Sequence, residues 1–345
     1  MARTNNLNNY LTDLATAIKN KKGDQTTINA EDFDTEITNL PTGGDPDFVV
    51  KKVIKKQGAT QQDISDIATF IGNDTALLDG GNANGGNAMG TYGALQSGTF
   101  IDASALDDKL TMIGCSTSAS TSYGGGNADT FAGCSLMTRP PLINFSQMYY
   151  YGYMFAGCTS LTSFPSNYFS TIPNGRINTG QNSPFLTGNR MFLNCTELTS
   201  VDFPSGTSFL YTNSMFEGCG KLTSVSGVNL KGIVSTNSMF KYCFELVDVP
   251  YMNTEACIKN ANSINVGTWF VGCYKLSDAS IDNVIRMLTD LVPYIINRQK
   301  KLSSIFTQTN PTMYPNNEFI LKIRASQYYS AMISAGMVDD LVLSE

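Results

Sequence analysis

The sequence predicts an α+β repeat protein: a solenoid of units of about 24 residues, with a small helical module before it and a helical cap after it. Three observations predict this. An aromatic residue followed by two variable residues, a cysteine and usually a leucine three further on recurs as Phe131/Cys134, Phe155/Cys158, Phe192/Cys195, Phe216/Cys219, Phe240/Cys243 and Phe270/Cys273. The cysteines are separated by 24, 37, 24, 24 and 30 residues, so 24 is the unit and two units carry insertions of 13 and 6. Both ends of the chain carry helical apolar stripes too short to bury themselves. A period in this range means that no unit can cover its own apolar face, so stacking is obligatory.

The predicted organisation is a helical module at 1–42, a mixed α/β connector with a Gly/Asn-rich loop at 43–105, the repeats at 106–280 and an α/β cap at 281–345. Over residues 5–21, Leu7, Leu11, Leu14 and Ile18, with Tyr10 and Ala17, form one face of an amphipathic helix. Gly23 is a stop, and Asn29 caps a second helix presenting Phe33, Ile37 and Leu40. The breaker run from Pro41 to Pro46 ends the module. Residues 48–56 predict a strand and Gln61–Ile71 a helix with Ile64, Ile67 and Ile71 apolar. The run from Asp79 is too rich in glycine for either element, and it has neither the carboxylates of a calcium loop nor the ending of a P-loop.

Within a unit, Phe192, Cys195, Leu198, Val201 and Phe203 are the expected core, the Phe-x-x-Cys-x-x-Leu part a helical turn and the remainder a strand. Leu161/Phe164, Leu222/Val225, Leu246/Val249 and Leu276/Ala279 hold the corresponding places. After the repeats, Ser280–Leu291 predicts a helix with Ile281, Val284, Ile285 and Leu288 inward, ended or bent by Pro293. Leu302–Phe306 predicts a strand, and Glu318–Gly336 one or two helices closing the stack.

The phrase Phe-x-x-Cys-x-x-Leu over residues 129–280 resembles the BspA-type leucine-rich repeats. That resemblance implies a leucine-rich-repeat solenoid in which cysteine takes the inward ladder place that asparagine holds in other members. The stretch from Leu11 to Gly23, followed by Ile28 to Phe33, resembles the N-terminal module of phage tail and baseplate proteins, which implies particle attachment through Leu7, Tyr10, Leu11, Leu14, Ile18, Phe33 and Ile37. The segment from Leu276 to Ile285 resembles the tail of phage proteins carrying such repeats.

Composition narrows the function. The chain has 23 basic and 29 acidic residues, a net charge of −6 and only small basic clusters, among them Arg298 with Lys300 and Lys301. Nucleic-acid binding is therefore not expected. Histidine is absent and no Cys-x-x-Cys pair occurs, so zinc, haem, cofactors and histidine-based catalysis are not expected. Six of the eight cysteines share one repeat position, which predicts free buried thiols. The first ten residues carry no apolar stretch and no run approaches 18 apolar residues, so neither a secretory signal, a lipid anchor nor a membrane span is expected. A hydroxyl-rich exterior without an export signal fits a virion component made in the host cytoplasm and released by lysis.

Two candidate binding surfaces follow. Strand residues pointing away from the core place Thr162 with Ser163, Thr199 with Ser200 and Asp202, Thr223 with Ser224, Val247 with Asp248, and Ser277 with Asp278 on one strip. Short hydroxyls with scattered carboxylates suit sugar hydroxyls; a solvated sheet face has the same composition. The second is Tyr149, Tyr150, Tyr151 and Tyr153, whose rings suit a glycan or a protein partner. Nothing singles out the paired carboxylates that glycoside hydrolysis requires. The expectation is a non-enzymatic virion protein that binds other virion proteins through its N-terminal helices and a host glycan or protein through its repeats, with homo-oligomerisation open. A head-decoration or baseplate protein and a bacterial surface adhesin are the alternatives.

Overall fold

One left-handed residue per repeat decides the local shape of the chain. The computed structural model describes residues 52–54, 56–79, 95–113, 129–146, 151–172, 186–254, 264–307 and 317–343. All belong to the second of two compact units, Lys51–Glu345. The predicted N-terminal helices, the Gly/Asn-rich loop, Tyr149, Tyr150, Cys115, Cys257 and most of the insertion after Ile172 lie outside the described residues.

Gly58, Ser97, Gly133, Gly157, Asn194, Gly218, Tyr242 and Gly272 all have φ between 56° and 87°. Each stands immediately before the small residue of its repeat: Ala59, Gly98, then the six cysteines. An α-helix cannot pass through a left-handed residue. The expected helical turn is therefore a chain of tight turns, closed by bonds such as Cys195 N–H to the Phe192 carbonyl at 3.0 Å and Leu198 N–H to Cys195 at 3.1 Å. A second left-handed residue precedes Met or Trp in most repeats, at Tyr153, Arg190, Ser214, Ser238 and Thr268.

These turns stack as rungs. The amide of each left-handed residue through Tyr242 donates to a carbonyl of the following rung at 2.7–2.8 Å, and the phenylalanine amides do the same at 2.8–3.0 Å. The rungs at Gly58 and Ser97 obey this pattern, so it begins upstream of the first Phe-x-x-Cys phrase. Inside the stack the rings of Phe131, Phe155, Phe192, Phe216 and Phe240 lie parallel, with centroids 5.2–5.7 Å apart and planes within 6° of one another. Phe270 follows at 5.3 Å and Phe306 at 6.2 Å. Burying each ring is worth roughly 1.5–3 kcal/mol, and each ring pair adds about 0.5–1.5 kcal/mol. The part of the insertion after Cys158 that is described contributes Tyr168 and Phe169, which pack with Phe145, Phe164 and Phe203 into a second aromatic group.

Helix and strand are mixed, and the sheets are small and parallel. Strands β1 (Lys52–Ile54), β2 (Ala76–Asp79), β3 (Leu110–Ile113) and β4 (Ile143–Asn144) pair in chain order, with Lys52 opposite Ala76, Ala76 opposite Leu110 and Leu110 opposite Ile143. Helix α1 (Gln61–Ile71) lies between β1 and β2 in the chain; Thr60 and Asp63 form its capping box, and Ile64 and Ile71 are buried. Further on, β5 (Ser200–Ser208) pairs with β6 (Ser224–Asn229) through an irregularity between Asp202 and Thr207. Gly227 makes that irregularity possible: at φ 80°, a Cβ there would sit 1.9 Å from the Phe203 carbonyl oxygen.

The cap begins at α2 (Asp278–Leu291), where Ser277 accepts from the Ser280 amide and Ile281, Val284, Ile285 and Leu288 are buried, as predicted. Ala279 is an exposed first-turn residue of this helix, so it does not continue the inward strand positions. Pro293 lies in a 3-10 turn, Val292–Tyr294. The strand predicted at Leu302–Phe306 is instead helix α3 (Ser303–Phe306). Its apolar residues, Leu302, Ile305 and Phe306, have the i, i+3, i+4 spacing of a helical face. Thr268 and Phe270 donate to Ser304 and Ile305, so α3 takes the place of one more rung. Helices α4 (Asn317–Ala325) and α5 (Tyr329–Ser334) follow, and Gly336 at φ 110° closes the pair.

Candidate functional site

The phenylalanine and cysteine of each Phe-x-x-Cys phrase, expected in the core, are all buried. Phe131, Phe155, Phe192, Phe216, Phe240 and Phe270 are fully buried, as are Cys134, Cys158, Cys195, Cys219, Cys243 and Cys273. Each of those thiols is free, and each points its Sγ at the carbonyl of the phenylalanine one rung back, or of Leu95 for the first, at 3.0–3.1 Å. Burial pushes the Cys134 and Cys195 thiols up to about 12, with Cys158, Cys219 and Cys243 also raised. A nucleophile needs the opposite shift, so the ladder is structural.

The strip is brought together over four rungs. Thr162, Thr199, Thr223, Asp202 and Asp248 are exposed, with Ser200 and Ser224 half-buried beside them. Backbone bonds set their spacing: Thr199 N–H donates to Thr162 and Thr223 N–H to Thr199, at 3.0 and 2.8 Å, and Asp248 N–H to Thr223 at 3.0 Å. The Thr199 and Thr223 hydroxyls donate to the same carbonyls at 3.0 and 2.9 Å, and Ser226 donates to Asp202 at 2.6 Å. The Thr199, Thr223 and Ser226 protons are thus engaged within the stack, which leaves the Thr199 and Thr223 oxygens and the carboxylates of Asp202 and Asp248 as acceptors toward solvent. Ser277 continues the backbone ladder, its N–H donating to the Val247 carbonyl at 3.1 Å, but its hydroxyl caps α2 and Asp278 begins that helix.

Of the tyrosine group only Tyr151 and Tyr153 fall among the described residues, and neither presents a free ring. Tyr151 is fully buried, edge-on to Phe145 and Phe209 with centroids 6.0 and 6.3 Å away. Alternation explains it: Tyr151 starts a rung, and its amide bonds to the Thr187 carbonyl of the next. Tyr153 is half-buried under the Arg190 guanidinium, 5.2 Å from the ring centroid and hydrogen-bonded to its hydroxyl. It offers a cation–π pair rather than a free ring.

Three features escaped the sequence reading. Asn189, Asn213 and Asn237, each two residues before a Met, form a ladder: Asn213 N–H donates to the Asn189 side-chain oxygen at 2.9 Å and Asn237 N–H to that of Asn213 at 3.1 Å. The repeated Thr-Asn-Ser-Met-Phe at Thr212–Phe216 and Thr236–Phe240 was the available signal. Ion pairs Glu197–Lys221, Glu217–Lys241 and Glu245–Lys275 join successive rungs at 2.6, 3.0 and 2.6 Å. Finally, a cavity of 420 Å³ lies against β3 and β4, lined by residues including Asp108, Asn144, Ser170 and Tyr168. The Tyr168 hydroxyl is buried with no hydrogen-bond partner, and burial raises its pKa far above the ordinary value.

No protein-family model, curated protein or solved structure matches this chain. Among the described residues no group of three or more potential metal ligands occurs, and no helix is long and apolar enough to cross a membrane.

Proposed function

We propose that this chain is a non-enzymatic virion protein with a leucine-rich-repeat solenoid that recognises the host surface, with carbohydrate as its target. The observation that carries this reading is the acceptor strip of Thr162, Thr199, Asp202, Thr223 and Asp248. Sugar hydroxyls are donors, and neighbouring parallel strands lie about 4.8 Å apart, so a glycan chain lying across the rungs would meet an acceptor at each step. The rigid phenylalanine and cysteine ladders beneath the strip support the reading, since a preorganised row of acceptors loses little entropy on binding. Particle attachment through residues 1–42 remains part of the proposal on the sequence resemblance alone.

The test is saturable binding of the purified chain to whole cells of candidate hosts, before and after removal of surface glycans. Binding that disappears with the glycans and with Thr199→Arg plus Thr223→Arg is the expected result. A folded chain that binds no host, and whose strip variants fail to assemble into particles, would move the assignment to a structural subunit of the particle.

A further inference from the structure

A groove of 740 Å³ lies where the last repeats meet the cap, within the range of about 300–1,000 Å³ typical of small-molecule sites. The lining comprises Asn237, Gly267 and Thr268 from the rungs, Arg298, Gln299, Ser303, Ser304 and Thr307 from the segment that replaces the last rung, and Asp340 with Val342 from the end of the cap. Most of these polar groups are already fixed. The Gln299 side chain accepts from the Val266 amide at 2.9 Å and donates to Asn265 at 2.6 Å. Asp340 takes the Ser303 amide and hydroxyl at 2.8 and 2.5 Å, and the Thr268 and Ser238 hydroxyls pair at 2.6 Å.

Arg298 differs. Five arginines fall among the described residues. Arg139 pairs with Asp107, Arg324 with Asp339, Arg190 with Tyr153, and Arg286 covers the Tyr251 ring. Arg298 alone has no such partner among the described residues, although it lines the groove in a chain of net charge −6. Lys300 and Lys301 follow it, also without a carboxylate partner among the described residues. Asp340 keeps its charge although Ser303 holds it, so the groove sets one engaged carboxylate against one guanidinium, and Arg298 is the charged group left open to an incoming ligand. A guanidinium fork is matched in geometry to a carboxylate and binds it bidentately.

We propose that the groove around Arg298 binds a carboxylated sugar, such as a uronic-acid residue of a surface polysaccharide. Arg298 takes the carboxylate, the Asn237 side chain and the Ser303 and Ser304 oxygens, whose protons are already engaged, accept from ring hydroxyls, and Val342 covers an apolar edge of the ring. The inference rests on the carbohydrate-recognition reading above and adds a second, charge-selective subsite to the neutral strip.

The experiment uses the full chain in titration calorimetry with a glucuronate-containing disaccharide, its carboxyl-reduced neutral counterpart and inorganic phosphate. The acidic disaccharide should bind at least tenfold more tightly than the neutral one, and Arg298→Ala, an exposed substitution that removes no internal bond, should weaken it at least tenfold. Binding should also fall as salt is raised. Equal affinity for both disaccharides, unchanged binding by Arg298→Ala, or displacement of the sugar by phosphate at equal concentration would each overturn the proposal. Whole-cell binding by the same variants separates the two readings. Glycan-dependent cell attachment that is indifferent to Arg298→Ala removes this subsite and leaves the host-recognition reading standing. A chain that takes up the disaccharide through Arg298 but ignores every cell keeps the subsite and removes that reading.

Discussion

The middle rungs and the first rungs share one backbone pattern but differ in what fills it. From Phe155 to Phe240 every rung carries Phe and Cys, with each ring packed between two parallel neighbours. At the N-terminal end, Lys56 and Leu95 stand where the phenylalanines stand, and Ala59 and Gly98 replace the cysteines. The left-handed residue and its amide bond persist across both regions, at Gly58 and Ser97 as at Gly218. A rung is therefore defined by its backbone turn, whose donors must be satisfied wherever they are buried. The aromatic and thiol ladders are what the middle adds.

Truncating the ladder tests that division most severely. Phe216→Ala removes a ring stacked at 5.2 Å on one side and 5.4 Å on the other. It should lower stability by about 3–5 kcal/mol, and Leu95→Ala at the edge of the ladder by about 2–3 kcal/mol, read from urea unfolding midpoints. Equal losses at the two sites would mean that the ends are packed as tightly as the middle, and the contrast would fail.

Glycine substitutions test the backbone turn. Gly227→Ala puts a Cβ against the Phe203 carbonyl, rigid main chain on both sides, and should cost about 1–3 kcal/mol from the left-handed conformation alone, with the clash added. Gly218→Asn should cost about 1 kcal/mol or less, because asparagine tolerates this conformation. Asn194 and Tyr242 already hold the equivalent place, and the one clash of the Cβ, at 2.3 Å, is with the movable end of the Asn194 side chain, the Asn194 Cα lying at ordinary contact distance. If Gly218→Asn proves as damaging as Gly227→Ala, the rung turn is more specialised than its variants imply.

Asp129, just before the first phenylalanine, gives a smaller effect with a pH signature. Burial raises its carboxyl to about 6 from the ordinary 3.8. The folded state thus holds the proton more tightly than the unfolded chain, so its contribution is favourable below pH 3.8 and is lost as pH rises through about 6. Asp129→Asn should raise stability at pH 7 by about 1–2 kcal/mol, allowing for partial exposure, and flatten the profile between those two values. A melting temperature with the same pH dependence in both proteins would show that the site is open to water.

How much of this was legible depended on side-chain identity. The ladder residues, α1, α2 and the closing helix pair could be read because repeated Phe and Cys, or apolar residues at helical spacing, mark them directly. The flanking rungs could not: Leu95 to Gly98 keeps the turn but has neither marker, and Phe306 sits 36 residues beyond Phe270. Tyr151 was misread because four tyrosines in five residues look like a surface, whereas the rung phase puts this one inside. Of the candidate strip, Thr162 to Asp248 follow from alternation along strands, but the helix cap at Ser277 had already ended that alternation. Arg298 became notable only when the other described arginines had been paired in space.

The smallest effect separates cohesion from decoration. Glu197–Lys221 and Glu245–Lys275 are close in geometry, but their side chains are 43–57% exposed, whereas those of Glu217 and Lys241 are 20–21% exposed. Exposed pairs lose in side-chain entropy and screening most of what Coulomb attraction provides. Lys221→Ala should therefore change stability by less than about 0.5 kcal/mol, and Lys241→Ala by up to about 1 kcal/mol, with only the latter persisting at high salt. Both pairs join neighbouring rungs, so their difference reads burial together with the Tyr242 ring that lies 4.8 Å from the Lys241 ammonium. Equal, salt-sensitive losses would give the surface charges a part in holding the rungs together, beside the amide bonds and the asparagine, ring and thiol ladders.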